Sequence, residues 1–86
     1  YPNEIEDVLT THPSVMEAAV VGKPDEKTGE RVCAFITVSS DVSKQDVIDF
    51  CKQHLTNYKI PKSITILDEL PKSTVGKILR RELRSA

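Results

Sequence analysis

The chain opens on a helical rhythm. Ile5, Val8, Leu9 and His12 fall at i, i+3, i+4 and i+7, which puts one apolar stripe on a helix with His12 at its fraying end. Asn3 is the expected N-cap, and Glu6 three residues later completes a capping box. His12-Pro13 ends the helix, because the residue before proline is pushed out of the α region. Val15 to Val21 is short, β-branched and almost wholly apolar, the pattern of a buried strand. The stretch Gly22-Lys23-Pro24-Asp25-Glu26-Lys27-Thr28-Gly29-Glu30 reads as a polar connection. Arg31 to Val38 follows as a second strand, with Val32, Ala34, Ile36 and Val38 on one face. Two strands so joined are expected to be antiparallel neighbours.

Ser39-Ser40-Asp41 marks a turn, and Ser43 is placed to cap a second helix with Asp46 at the box position. Val47, Ile48, Cys51 and Leu55 form its buried stripe, with Phe50 beside it. Asn57 to Pro61 is a connector, and Lys62 to Leu67 is a third strand with Ile64 and Ile66 on one face. Pro71 to Gly76 is a loop, after which a last helix starts at Lys77 or Ile78 and carries Leu79 and Leu83 at i, i+4. This order predicts an α+β fold: a small three-stranded, mainly antiparallel sheet covered by about three helices.

Size narrows what such a fold can do. A chain of 86 residues hides roughly 60–65% of the surface its unfolded form exposes. Hydrophobic residues are 38% of it, and Tyr1, Phe35, Phe50 and Tyr58 are its aromatics. That supports one thin core and no deep internal pocket, so a catalytic site would need parts from elsewhere. The helix signal begins at once, no segment resembles a signal peptide, and no stretch approaches the ~18 apolar residues of a membrane span. The expectation is an internal piece of a longer cytoplasmic protein.

The formal charge of −1 conceals an asymmetry. Residues 1–30 carry Glu4, Glu6, Asp7, Glu17, Asp25, Glu26 and Glu30 against Lys23 and Lys27, whereas residues 71–86 carry Lys72, Lys77, Arg80, Arg81 and Arg84 against Glu82. A basic end on a near-neutral domain points to a local anionic partner. It argues against nucleic acid, since no stacking aromatics accompany the basic run. Cys33 and Cys51 form no CxxC and read as buried, reduced thiols. Cys51-Lys52-Gln53-His54 has a C-x-x-H spacing, but a closed zinc site needs four ligands, and only Cys33 and His12 remain to supply them; no metal site is expected.

Pro71-Lys72-Ser73-Thr74-Val75-Gly76-Lys77 is the most informative stretch. Pro71 restricts the backbone, Gly76 frees it, and Ser73 and Thr74 can brace it locally. Such a loop projects Lys77 outward, and an ammonium is a compact charge that can meet phosphate and carboxylate oxygens together. It is not a P-loop, which would need glycine at Pro71 and Ser or Thr at Ile78. Taken alone, it is more simply the description of a solvated lysine before a helix.

The run Leu70-Pro71-Lys72-Ser73-Thr74-Val75-Gly76-Lys77-Ile78-Leu79-Arg80-Arg81-Glu82-Leu83 resembles the C-terminal signature of the adenylate-forming (acyl-CoA synthetase) superfamily, in wording most similar to bacterial long-chain fatty-acid–CoA ligases. Tyr1-Pro2-Asn3-Glu4-Ile5-Glu6, Gly22-Lys23-Pro24-Asp25 with Gly29-Glu30, and Tyr58-Lys59-Ile60-Pro61 resemble further stretches of that family, in the right order along the whole chain. The resemblance implies that residues 1–86 are the mobile C-terminal lid of an AMP-forming ligase whose large N-terminal domain and hinge precede Tyr1. That N-terminal domain would be this chain's partner and would bind ATP, Mg2+ and the fatty acid. Lys77 would then serve acyl-adenylate formation, and the lid would rotate for thioester formation with CoA. Nothing of ATP, Mg2+ or CoA is expected to be held by this fragment alone.

Secondary candidates are weaker. Gly76, Lys72, Ser73 and Thr74 would position the lysine. Glu30 and Arg31 are candidates for an inter-domain face, though a solvated strand-edge pair is the simpler reading. Lys59 either braces the connector or serves the CoA side. Arg80, Arg81 and Arg84 suit CoA phosphates, acidic lipids of a membrane touched peripherally, or simply the polar face of a helix near its negative end. The same lysine loop occurs in aryl-CoA ligases and peptide-synthetase adenylation domains, and the size alone would suit a non-enzymatic α+β binding module.

Overall fold

The computed structural model describes residues 2–27 and 29–85, without the side chains of Pro2, Asn3 and Asn57. Helix α1 spans Pro2–Thr11, strands β1 and β2 span Val15–Asp25 and Gly29–Val38, and helix α2 spans Lys44–His54. A 3₁₀ turn at Asn57–Lys59, strand β3 at Ser63–Ile66 and helix α3 at Arg80–Arg84 complete the order. The sheet runs β1-β2-β3, with β1 and β2 antiparallel and β3 parallel to β2. It is therefore a mixed sheet within the expected α+β class. β2 and β3 are parallel because α2 is the crossover between them, and a helical crossover returns the chain in the same direction.

Both faces of this sheet are buried, which the alternating pattern of β2 did not disclose. Ala18, Val20, Ala34, Ile36 and Ile64 face Ile5 and Leu9 of α1 and Val47, Cys51 and Leu55 of α2. On the opposite face, Ala19, Val21, Cys33 and Phe35 meet Leu70 and Leu83, flanked by Leu67 and Ile78. The cysteines thus lie on opposite sides of the sheet, both as buried free thiols. Burial raises the Cys51 thiol above its ordinary value, because the thiolate loses its hydration there.

The polar connection predicted for Gly22 to Glu30 is mostly strand. The ladder continues through Gly22↔Val32, Lys23↔Arg31 and Pro24↔Glu30 to Asp25↔Gly29. Pro24 is tolerated because β1 is an edge strand, where a missing N–H costs no ladder bond. The turn is closed by the Lys27 amide donating to Asp25 Oδ1 at 2.8 Å and by Gly29 at φ 84°. Near its other end β1 carries an irregularity: Val15 pairs with Val38 but Glu17 with Thr37. The extra residue, Met16, is 64% exposed, and it shifts the side-chain phase so that Val15 and Ala18 share one face while Glu17, Ala19 and Val21 share the other.

The helix ends follow local chemistry, with two departures. Ser43 Oγ accepts from the Asp46 amide at 3.0 Å, as expected of an N-cap. Helix α1 stops at Thr11; His12 then turns the chain, its Nδ1 accepting from the Ser14 amide and its ring packed edge-on against Phe50. Helix α1 begins at Pro2, so Asn3 sits inside it rather than ahead of it, and the side chain on which the capping reading rests lies outside the described residues. Glu6 is not spent on a capping box: its carboxylate reaches the edge of the sheet instead. The last helix starts at Arg80, not at Lys77 or Ile78, because the preceding residues close a hairpin.

Leu9 is fully buried between α1 and the sheet. Truncation of such a leucine forfeits its transfer energy and leaves a cavity. Leu9→Ala should therefore lower unfolding free energy by about 2–5 kcal/mol, whereas Met16→Ala should change it by less than about 0.5 kcal/mol; urea denaturation of the two variants reads the difference.

Candidate functional site

Residues Pro71 to Leu79 form a closed hairpin rather than an open loop leading into a helix. Its base is tied by the Leu79 amide donating to the Pro71 carbonyl at 2.9 Å and by an antiparallel bridge between Lys72 and Ile78. Its tip is tied by the Ser73 amide to the Lys77 carbonyl at 2.8 Å and the Gly76 amide to the Ser73 carbonyl at 2.9 Å. Ser73 Oγ accepts from the Lys77 amide at 3.3 Å, so Ser73 braces the turn as its hydroxyl suggested. Gly76 adopts φ 83°, the left-handed region that closes such a turn and that residues with a Cβ enter only at a cost. Thr74 is exposed at the tip beside Val75, which is 86% exposed.

Lys77 leaves this hairpin exposed, and no ion pair engages its ammonium among the described residues. Its neighbours are held. Lys72 pairs with Glu17 of β1, which shares its face of the strand with Ala19 and Val21. Arg80 pairs with Glu6 of α1. Leu70, just before the hairpin, and Ile78, on its second arm, pack into the core on the second face of the sheet. The loop is thus fixed at both feet while the cation near its tip stays available.

The remaining sequence candidates divide. Glu30 and Lys59 line one open surface pocket of about 270 Å³, together with Ile5, Val20, Gly22 and Tyr58. Arg31 is exposed in β2 and does not line it. Lys77 belongs to neither this pocket nor its lining; it lies instead against a shallow depression with Arg80 and Arg81. Gly22 gives the Glu30 carboxyl its room, since a Cβ there would stand 2.4 Å from Glu30 Cδ. Tyr58, 79% exposed over this pocket, was not singled out from the sequence, although an unpaired aromatic in a polar connector was a usable signal.

Lys59 donates to Glu4 Oε2 at 2.7 Å. That hydrogen bond with Lys59 holds the Glu4 carboxyl below its usual range, and the same bond with Glu4 raises the Lys59 ammonium above its own. Lys59 therefore does brace the connector, against α1. Among the described residues no cluster of three or more His, Cys, Asp and Glu side chains could hold a metal ion. No described helix is long and apolar enough to cross a membrane.

Lys77 thus stands exposed on a braced hairpin, in no ion pair among the described residues. The model of the AMP-binding enzyme C-terminal domain matches residues 4–77, and this chain belongs to that family. It is 52% identical over 85 residues to a long-chain-fatty-acid–CoA ligase of Escherichia coli O6:H1, covering 98% of this chain and 15% of that protein. It is 49% identical over 84 residues to a 2-succinylbenzoate–CoA ligase of Bacillus mycoides, covering 98% of this chain and 18% of that protein. Among solved structures, a Mycobacterium tuberculosis fatty acyl CoA synthetase superposes with a TM-score of 0.93 at 41% identity, over 99% of this chain and 17% of that one. The chain thus spans less than a fifth of the length of these relatives.

Two outcomes test this geometry. Gly76→Ala forces a Cβ into the left-handed region although nothing lies within 4 Å of it; the expected cost is about 1–2 kcal/mol, seen as faster hydrogen exchange at the Gly76 and Lys77 amides. The Glu4–Lys59 pair is complete at neutral pH. It is lost as pH falls through the lowered Glu4 value and again as pH rises through the raised Lys59 value. In Lys59→Met, NMR titration should find the Glu4 carboxyl returned upward to the ordinary carboxylate range; an unmoved Glu4 would show that the pair does not form in solution.

Proposed function

We propose that this chain is the lysine-bearing C-terminal domain of an acid–CoA ligase, and that a larger N-terminal domain preceding Tyr1 supplies the nucleotide and acid pockets. The observation that carries this reading is the exposed, unpaired Lys77 on a hairpin fixed at both feet, in a domain too small to enclose a substrate. A cation so presented is free to act where a second surface brings anions to it. In the proposed reaction, a carboxylate attacks the α-phosphorus of ATP, an acyl-adenylate forms and pyrophosphate leaves.

Two anions must meet in that step, and their repulsion is the first obstacle. Lys77 Nζ, delivered when the domain closes, would contact carboxylate and phosphate oxygens together and stabilise the charge that develops between them. Closure also excludes water from the mixed anhydride. Mg2+ would be held with ATP by the N-terminal domain. In the second step the CoA thiol attacks the acyl carbon and AMP leaves. We assign the surface around exposed Tyr58 and the Glu4-paired Lys59, lined by other residues than the depression at Lys77, to that step on rotation of the domain, with Glu30 beside it.

For the acid we propose a long-chain fatty acid, supported by the 52% identical ligase and the 41% identical synthetase. A second reading, an aryl acid of the 2-succinylbenzoate type, is favoured by the 49% identity to a ligase of that name. The same proposal puts the enzyme in the cytoplasm, with any membrane contact peripheral. Acid-dependent ATP–pyrophosphate exchange by the full-length protein, with fatty acids and 2-succinylbenzoate compared, names the substrate. Lys77→Ala should slow adenylate formation by about 10²–10³ and leave thioester formation from supplied acyl-adenylate nearly intact. Equal loss in both half-reactions would refute the role given to Lys77.

A further inference from the structure

Glu6 has a chemical environment that its place in an amphipathic helix does not require. Its side chain is only 14% exposed. One oxygen, Oε2, accepts from the Val20 amide at 2.8 Å, from Arg80 Nη2 at 2.7 Å and from Arg80 Nε at 3.2 Å, while Oε1 accepts from Arg80 Nη2 at 2.7 Å. The Val20 N–H belongs to edge strand β1, and its donation to Glu6 shows that it points away from β2. Helix α1 packs on one face of the sheet and α3 on the other. The carboxylate therefore bridges the two layers around the strand edge, satisfying an edge donor and a guanidinium at once.

Arg80 lies three residues after Lys77, immediately beyond the foot of the hairpin. The other foot, Lys72, is held by Glu17, also on β1. Both feet are thus hung from one strand, Lys72 through the Glu17 side chain and Arg80 through Glu6 and the Val20 amide. Resting on the ligase reading above, the geometry points to Glu6 and Arg80 as positioning residues for Lys77: the clamp sets the direction in which the hairpin presents its ammonium, and neither side chain touches substrate. The guanidinium fork is needed because it donates from two nitrogens in a fixed plane; an ammonium at the same place keeps the charge but not the orientation.

The test uses the full-length enzyme with Arg80→Lys, Glu6→Gln and Lys77→Ala. Glu6→Gln keeps an oxygen for the Val20 amide and removes only the charge opposite Arg80, so it serves if Arg80→Lys folds poorly. Each clamp variant should slow single-turnover adenylate formation by about 10- to 100-fold, leave thioester formation from supplied acyl-adenylate unchanged, and speed hydrogen exchange at the Lys77 amide while β2 amides stay protected. A merely structural role would not pass a further readout: in the Lys77→Ala background, Arg80→Lys should cost nothing more. Additive losses, equal loss in both half-reactions, or no loss with Lys77→Ala still impaired would each overturn the clamp and leave the ligase reading standing. Unimpaired Lys77→Ala would remove the ligase reading and the clamp with it.

Discussion

The second face of the sheet must be covered, and the segment that covers it also presents Lys77. Val21, Cys33 and Phe35 make that face as apolar as the one beneath α1 and α2. Leu70, Ile78 and Leu83 bury it, and two of these three, Leu70 and Ile78, lie on either side of the turn that carries Lys77. Core packing and cation placement are in this way one structural decision. Each fully buried aliphatic side chain contributes about 1.5–3 kcal/mol, a large fraction of the stability of so small a domain, so the hairpin's feet cannot leave the sheet without loss to the fold itself.

Much of this was legible in the chain. The stripe of Ile5, Val8 and Leu9, the cap at Ser43 and the antiparallel pairing of the first two strands followed from periodicity and capping chemistry, and the structure bears them out. What escaped was long-range. The span from Gly22 to Glu30 looked like a loop because its residues are polar, glycine and proline, yet ladder pairing with a well-formed neighbour overrides weak local propensity. Lys77 looked like a helix start because Leu79 and Leu83 share a helical spacing. The hairpin wins there because Gly76 closes a turn and Ile78 is drawn into the core.

The site was legible as chemistry but not as geometry. The run from Pro71 to Lys77 announced an outward lysine, and the exposed ammonium agrees with it. No local pattern could announce that Glu6, 74 residues from Arg80, would be its partner, or that Glu17 would meet Lys72. Glu30 and Lys59 share a pocket, while Arg31, their companion in the sequence reading, stands outside it. Ion pairs join residues that the fold brings close, and their spacing along the chain carries no signature.

The bulge at Met16 has a consequence for how the gene for such a domain is free to change in length. Val15 and Glu17 already pair with adjacent residues, Val38 and Thr37, so a gene that lost the Met16 codon would encode a regular ladder with both side chains on the faces they now occupy. The tip between Asp25 and Gly29 can likewise change length, because the strands on either side are already paired. From Glu17 to Val21 the count sets a parity, since one codon fewer there turns every residue on one side of the loss to the wrong face. Insertions and losses should accordingly collect at the bulge and the far turn, and not between them.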